Sequence, residues 1–118
     1  MKQHEVIIAL GSNYCQSANM MWASQRLTSL VCGSKFSRIL WTKDVSGKGR
    51  MYQNRLVRGT TTLAVEELEK QLKEIERALH RDGEKVTIDL DLMEYDFVRY
   101  HLRDWDRPYI QQLIGDVK

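Results

Sequence analysis

Apolar and polar residues alternate most regularly between Thr87 and Met93. Three apolar side chains would share one face of this segment: Ile88, Leu90 and Leu92. The opposite face would carry Asp89, Asp91 and Met93. A period of two residues is typical of a β-strand that buries one of its faces. Because Asp is depleted in strands, two Asp residues on one strand face require an explanation.

Hydrophobic patterns elsewhere predict three more strands and two helices. The continuous apolar run at Glu5–Leu10 predicts a buried strand. Alternation predicts strands over Lys35–Val45 and Met51–Thr61, which would pair with each other antiparallel. Apolar residues at helical spacing predict helices over Ala18–Val31 and Leu63–His80.

The predicted order of elements is therefore βαββαβ, followed by a polar tail after Asp96. Two helices on one face of a four-stranded antiparallel sheet form the ferredoxin-like arrangement of the α+β class. We predict one such domain over residues 1–118, with the two aspartates on the face away from the helices. The tail would be a short extension with a helix over Tyr109–Ile114, after Pro108. Five residues are predicted to be buried: Leu27, Leu72, Ile75, Ile88 and Leu90.

Composition narrows the classes of function. The chain has 118 residues, of which 42% are hydrophobic and 29% are charged, as in ordinary soluble domains. Its net charge of +2 is too small to indicate binding to nucleic acid or to an anionic membrane. No apolar run approaches the roughly 20 residues that span a bilayer, and two cysteines make neither a disulfide framework nor a zinc signature. The N-terminus shows no signal-peptide pattern, so we expect a cytoplasmic location.

Asp89 and Asp91 predict a site for a divalent metal ion. In a strand their Cα atoms would lie roughly 6.5–7 Å apart, so that their side chains could share cations. Mg²⁺ prefers carboxylate oxygens and keeps its other positions for water and phosphate. The alternative is an exposed polar face that pairs with Lys85 or Arg99.

Ser46–Arg50 is a basic, glycine-containing segment between the two predicted hairpin strands. Its backbone N–H groups could cradle a phosphate group. It lacks the P-loop pattern, however, and a plain hairpin connection remains the alternative.

Three stretches of the chain together resemble the 6-hydroxymethyl-7,8-dihydropterin pyrophosphokinase family. Ile8–Asn13 resembles its N-terminal ALGSN signature, and Tyr52–Asn54 resembles its aromatic-x-Asn segment. Thr87–Leu92 resembles its TIDLDL signature, and the order and spacing of the stretches agree. The likeness covers the chain roughly from Val6 to Tyr95.

The resemblance implies a ferredoxin-like fold and the transfer of pyrophosphate from ATP to a reduced hydroxymethylpterin in folate biosynthesis. Asp89 and Asp91 would hold two Mg²⁺ ions that bridge the triphosphate and would thus be catalytic. Asn54 would bind the polar edge of the pterin, and Tyr52 would pack near its ring. Gly11 would be the turn glycine that opens space beside this pocket.

The basic residues depart most from the family pattern. Arg81 matches the first basic residue of the family and would be catalytic, but the long Arg-Trp-Gly-Pro-Arg loop that should follow is absent. The family's later Pro-His segment corresponds here only to 100–103. The resemblance therefore leaves the ATP-binding cations to other residues, for which the candidates are Lys85, Arg99, His101, Arg103 and Arg107.

Two other classes of function remain open. A catalytically degenerate relative would bind pterin or nucleotide without turnover. An RNA-recognition domain uses the same βαββαβ order, but the strand over Tyr52–Arg58 lacks the closely spaced stacking aromatics of that module. The expected partners are therefore a pterin and ATP rather than nucleic acid or a membrane, and the pattern indicates no particular oligomeric state.

Overall fold

The computed structural model describes residues 2–44, 49–79 and 85–118, which form an antiparallel sheet with helices packed against it. The strands are β1 (His4–Ser12), β2 (Cys32–Phe36), β3 (Leu40–Lys43), β4 (Met51–Thr61), β5 (Asp89–Tyr95) and β6 (Val98–Arg99). The helices are α1 (Gln16–Thr28), α2 (Val65–Ala78), α3 (Leu102–Trp105) and α4 (Pro108–Val117). The fold is α+β, as predicted. Within these ranges, no helix combines the length and apolar character needed to cross a membrane.

β1 is the central strand, and it pairs with β4 on one side and with β5 on the other. The strand order is β2-β4-β1-β5-β6, and β3 also pairs with β4. Each of these pairings is antiparallel. The predicted count of four strands was wrong, because the described part of the chain forms six. The specific ferredoxin-like description stays a prediction.

A buried serine divides the predicted strand Lys35–Val45 into β2 and β3. Ser37 is only 1% exposed, and its hydroxyl oxygen accepts a 2.8 Å hydrogen bond from the N–H of Leu56. The N–H of Ser37 in turn donates to the carbonyl oxygen of Leu56 at 2.8 Å. Because a side chain takes part in the pairing here, the regular ladder is interrupted and resumes at Leu40.

The sixth strand comes from a turn within the predicted polar tail. Asp96 and Phe97 both have positive φ angles, of 48° and 68°. Two consecutive residues in this conformation form a tight turn that joins antiparallel strands. The chain therefore reverses, and β6 pairs with the end of β5.

The first hydrophobic core lies between the sheet and the two predicted helices. It contains alternate residues of β1 and β5 together with the apolar faces of α1 and α2. All five residues that were predicted to be buried belong to it: Leu27, Leu72, Ile75, Ile88 and Leu90. The helices are present, although α1 ends earlier than the predicted Val31 because the chain turns there to enter β2.

A second core, on the other face of the sheet, was not predicted. Here α4 packs against β1, β4 and β5. This core contains Ile110, Leu113 and Val117 from α4, Ile7, Leu56 and Met93 from the sheet, and Trp105 from α3. The indole N–H of Trp105 donates to the carbonyl oxygens of Met93 and Tyr100 at 3.2 and 3.0 Å. The polar tail is therefore an integral layer of the fold, and α4 extends beyond the predicted Tyr109–Ile114 at both ends.

Candidate active site

A cavity of about 210 Å³ lies next to the second core. Three strands supply Gly11, Asn54, Asp89 and Asp91, whose positions in β1, β4 and β5 are neighbours in the sheet. β3 and the start of β4 supply Thr42, Lys43 and Tyr52. The C-terminal segment supplies Asp104, Arg107 and Tyr109. The structure thus brings together the predicted metal and pterin residues, which are far apart in sequence.

The register of the sheet explains why the predicted metal and pterin residues lie close together. Gly11 pairs with Asn54 of β4 and with Asp89 of β5, and Ala9 pairs with Asp91. The prediction of Gly11 as a turn residue was wrong, because it lies within β1. A methyl group at Gly11 would lie 3.8 Å both from Asn54 Oδ1 and from Tyr52 Cδ1. Glycine therefore leaves space between the strand and these two side chains.

The end of β1 is held to the segment before β5 by the Ser-Asn part of the ALGSN motif. The N–H of Asn13 donates to the carbonyl oxygen of Val86 at 2.9 Å, and the N–H of Val86 donates to Asn13 Oδ1 at 2.6 Å. Ser12 and Asn13 are both buried. These bonds place the start of β5, and with it Asp89, beside Gly11.

Asn54 faces the protein interior and not solvent. It is buried, and its Nδ2 donates to Thr42 Oγ1 at 2.7 Å and to the carbonyl oxygen of Leu40 at 3.3 Å. Both partners belong to β3, so this strand fixes the orientation of the amide. An amide held at the edge of a cavity can recognise a planar ring with a fixed set of donors and acceptors.

The carboxylates of the site are held at an electrostatic cost. Burial, with the nearby charge of Asp89, raises the pKa of Asp91 to about 6. Glu76 of α2 accepts a 2.7 Å hydrogen bond from the N–H of Leu90. Its pKa is raised to about 7, chiefly by burial and less by Asp89 and Asp91. Three acidic side chains thus meet beside β5, where a cation would relieve their repulsion.

Two basic side chains approach Asp91 from outside the cavity. His101 Nε2 lies 3.9 Å from Asp91 Oδ1, and His101 and Lys73 favour the ionised form of Asp91 and so oppose the rise in its pKa. His101 was one of the predicted ATP-binding residues. It does not line the cavity but stands next to the carboxylate that does.

The other predicted cations lie away from the cavity. Lys85 places its ammonium group 4.7 Å from the centre of the Tyr14 ring. Arg99 stacks on Trp105, with its guanidinium carbon 4.0 Å from the ring centre. Arg103 is exposed on α3, and none of these three lines the cavity. The predicted catalytic residue Arg81 and most of the Ser46–Arg50 segment fall outside the described residues.

Sequence reasoning missed several side chains of the cavity, among them Asp104 and Tyr109 of the C-terminal segment. Burial is the main cause that raises the pKa of Tyr109, and the charges of Asp104 and Asp91 contribute. The signal that could have located them is the spacing of Ile110, Leu113 and Val117, which is helical and indicates a buried face. A helix packed on the free face of the sheet would have carried its first residues to the aspartates.

The donor set fits Mg²⁺ only in part. Within 2–44, 49–79 and 85–118, no group of three or more His, Cys, Asp or Glu side chains is arranged to hold a metal ion. Asp89 and Asp91 nevertheless offer hard oxygen ligands at the wall of a cavity that has room for further ligands. Such a pair suits an ion that takes its other ligands from water and phosphate.

Two comparisons with known proteins bear on the family of this chain. A model of the family described as 7,8-dihydro-6-hydroxymethylpterin-pyrophosphokinase (HPPK) matches residues 7–118. The chain is 32% identical over 130 residues to the "Folate synthesis bifunctional protein, mitochondrial" of Arabidopsis thaliana. That alignment covers 98% of the chain, which spans only 24% of the relative's length. The family match continues through α4 and includes Tyr109.

Proposed function

Because the chain belongs to the HPPK family, we propose that it transfers pyrophosphate from ATP to 6-hydroxymethyl-7,8-dihydropterin, in the synthesis of folate. This activity is a diphosphotransfer, and the match of the family model to residues 7–118 supports it. The observation that carries the proposal is the pairing of Gly11 with both Asn54 and Asp89. It sets a buried amide beside a pair of carboxylates in one cavity.

The pterin would occupy the part of the cavity near Tyr52, Asn54 and Tyr109. Two aromatic side chains at the wall suit a flat heterocycle, which gains from stacking. The amide of Asn54, held in place by β3, would bind the polar edge of the ring. Gly11 would leave room for the ring to approach the sheet.

The phosphate groups of ATP would lie beside Asp89 and Asp91, which would hold Mg²⁺, with two ions expected. When bound, Mg²⁺ would neutralise phosphate charge and align the reacting groups. Arg107 and Lys43, which line the same cavity, would contact phosphate oxygens. His101, whose Nε2 lies 3.9 Å from Asp91 Oδ1, would donate a hydrogen bond to a phosphate oxygen beside that carboxylate.

The reaction itself requires few covalent roles from the protein. The hydroxymethyl oxygen of the pterin attacks the β-phosphorus of ATP, and the bond from this phosphorus to the α–β bridging oxygen breaks. The products are pterin diphosphate and AMP, and the hydroxyl proton is released. Catalysis of such a transfer depends mostly on positioning and on stabilising charge, which the side chains around the cavity would supply.

A second candidate function is pterin binding without turnover. It is favoured by the positions of Lys85, Arg99 and Arg103, which stand away from the cavity where the phosphates would lie. The short connection between α2 and β5 also lacks the family's long arginine-containing loop. The pterin residues would be retained in such a relative, whereas ATP binding would be lost.

One experiment separates the two functions. The protein is titrated in a calorimeter with a non-hydrolysable ATP analogue and Mg²⁺, with and without hydroxymethylpterin, and AMP release from ATP is measured in parallel. Binding of both ligands with AMP release supports the pyrophosphokinase. Pterin binding alone supports the second candidate, and binding of neither ligand contradicts both.

A further inference from the structure

Asp104 is a charged side chain at the cavity to which the proposed reaction assigns no role. Its Oδ1 accepts a 2.8 Å hydrogen bond from Arg107 Nε, and its carbonyl oxygen accepts a 3.0 Å bond from the N–H of Arg107. Both side chains line the cavity and both are partly buried, with 30% and 39% of their area exposed. Two bonds therefore fix Arg107 to a single residue one turn earlier in the chain.

The use of Nε decides how the guanidinium group is presented. A guanidinium has five N–H donors in a rigid plane, of which one belongs to Nε and four belong to the terminal nitrogens. A carboxylate on Nε restrains the direction of this plane and does not itself occupy the terminal nitrogens. Those four donors can then form charge-assisted bonds to the oxygens of a ligand.

Without this restraint, the side chain of Arg107 could adopt other positions. It also lines a neighbouring cavity of about 320 Å³, whose other walls include Trp41, Pro108 and Gln112. The long arginine side chain could turn into that space or pair with Asp91. Either movement would withdraw its positive charge from a bound phosphate group.

We propose that Asp104 is a positioning residue that holds the guanidinium of Arg107 toward the phosphate chain of ATP. This role rests on the proposed function, in which Arg107 contacts phosphate. Asp104 acts through Arg107 and touches neither substrate. Its contribution should therefore depend on its oxygen atom as a hydrogen-bond acceptor more than on its charge.

Steady-state assays of AMP release test whether Asp104 acts through its hydrogen-bond acceptor or through its charge. Asp104→Asn keeps an oxygen that can accept from Arg107 Nε, whereas Asp104→Ala removes it. We expect Asp104→Ala to raise the KM for ATP about tenfold with less effect on the KM for pterin, and Asp104→Asn to stay within about threefold of wild type. Asp106→Asn is the matched control, because it removes one charge from an exposed residue of the same segment.

Combining Asp104→Ala with Arg107→Lys in one protein completes a double-mutant cycle. If Asp104 acts through Arg107, then Asp104→Ala should add little to the effect of Arg107→Lys. Equal losses in Asp104→Asn and Asp104→Ala would overturn the proposal, because the charge alone would then matter. No loss in Asp104→Ala would overturn it as well.

A measurement on the ligand-free protein tests the restraint without activity. In ¹⁵N spectra of the arginine side chains, the Nε–H of Arg107 should be ordered in wild type and in Asp104→Asn, but mobile in Asp104→Ala. Equal order in Asp104→Ala would overturn the proposal. Absence of ATP binding and turnover in wild type would overturn both this role and the proposed function, whereas an active enzyme with an unaffected Asp104→Ala variant would overturn this role alone. Thermal unfolding of each variant establishes that it folds.

Discussion

At the scale of single residues, Asp91 most clearly shows the cost of the candidate site. Its carboxylate is partly buried and lies near Asp89, and these two causes raise its pKa to about 6. Near pH 7 the group is mostly ionised, so the ligand-free site holds negative charge without full compensation. A cation with its own phosphate ligands would relieve that cost, which explains why two aspartates can persist in a strand.

The first prediction concerns this carboxylate. Asp91→Asn keeps the shape of the side chain and removes the charge, so it should abolish nucleotide binding that depends on Mg²⁺. Pterin binding through Asn54 should persist. The measurement is the thermal shift with nucleotide and Mg²⁺, and Glu94→Gln on the same strand is the control, because Glu94 faces Arg99 instead of the cavity. An undiminished shift in Asp91→Asn would show that the aspartates do not bind the metal.

The second prediction separates the ring of Tyr109 from its hydroxyl group. If the ring stacks on the pterin, Tyr109→Phe should bind hydroxymethylpterin nearly as well as wild type does. Tyr109→Ala should bind it about tenfold more weakly, because it loses both the buried area and the stacking. Calorimetry with pterin alone measures both constants. A similar loss in the two variants would assign the contribution to the hydroxyl group.

The sequence predicted which residues belong to the candidate site better than it predicted which way their side chains point. Asp89 and Asp91 were placed correctly because strand alternation and the first core fix which way they face. Asn54 could equally have faced solvent, and only its pairing with β3 orients the amide inward. Whether Arg99 or Arg107 would reach the cavity depended on how α3 and α4 pack, and the spacing of apolar residues in α4 indicates only which of its faces is buried.

At the scale of elements, the close approach of β4 to the start of β2 depends on one glycine. A Cβ atom at Gly59 would lie 2.3 Å from Val31 Cγ1 and 2.6 Å from the carbonyl oxygen of Cys32. The second contact is with backbone, which cannot turn away as a flexible side chain can. This close approach also explains why α1 must end before Val31, since the chain has to turn into β2 at this point.

The third prediction tests this close approach of β4 to the start of β2. Gly59→Ala should lower the free energy of unfolding by about 1–3 kcal/mol, because the backbone must shift to admit a methyl group. Gly115→Ala is the matched control, since nothing lies within 4 Å of a Cβ at this position in α4. It should raise the stability by about 0.5–1 kcal/mol through helix propensity. Urea unfolding measures both changes, and equal behaviour of the two variants would contradict the predicted crowding.

At the scale of the whole molecule, the two faces of the sheet have different tasks. One face is covered by α1 and α2 and was predictable, because both helices have long apolar stripes. The other is covered by α4 at one end and carries the cavity at the other. This division was not predicted, because the tail was interpreted as polar and the apolar spacing at Ile110, Leu113 and Val117 was not recognised as a buried helix face. The consequence is that α4 belongs both to the core and, through Tyr109, to the candidate site.

The fourth prediction concerns the pH dependence of the ligand-free protein. Asp91 and Glu76 have pKa values raised to about 6 and about 7, from ordinary values of 3.8 and 4.5. The folded state therefore binds protons more tightly than the unfolded state between about pH 4 and pH 7, and the contribution of these groups to stability falls as the pH rises through that window. Their contribution should thus make the protein more stable at pH 5 than at pH 7.5, as measured by urea unfolding without metal or nucleotide.

Two comparisons assign this dependence to the site. Asp91→Asn removes one of the two groups, so the gain in stability between pH 7.5 and pH 5 should become smaller. Asp106→Asn removes one carboxylate from an exposed residue that does not line the cavity, so it should leave the change between pH 7.5 and pH 5 largely intact. An unchanged dependence in Asp91→Asn would show that the folded protein does not hold this carboxylate at an electrostatic cost, so that a cation at the site would have no such repulsion to relieve.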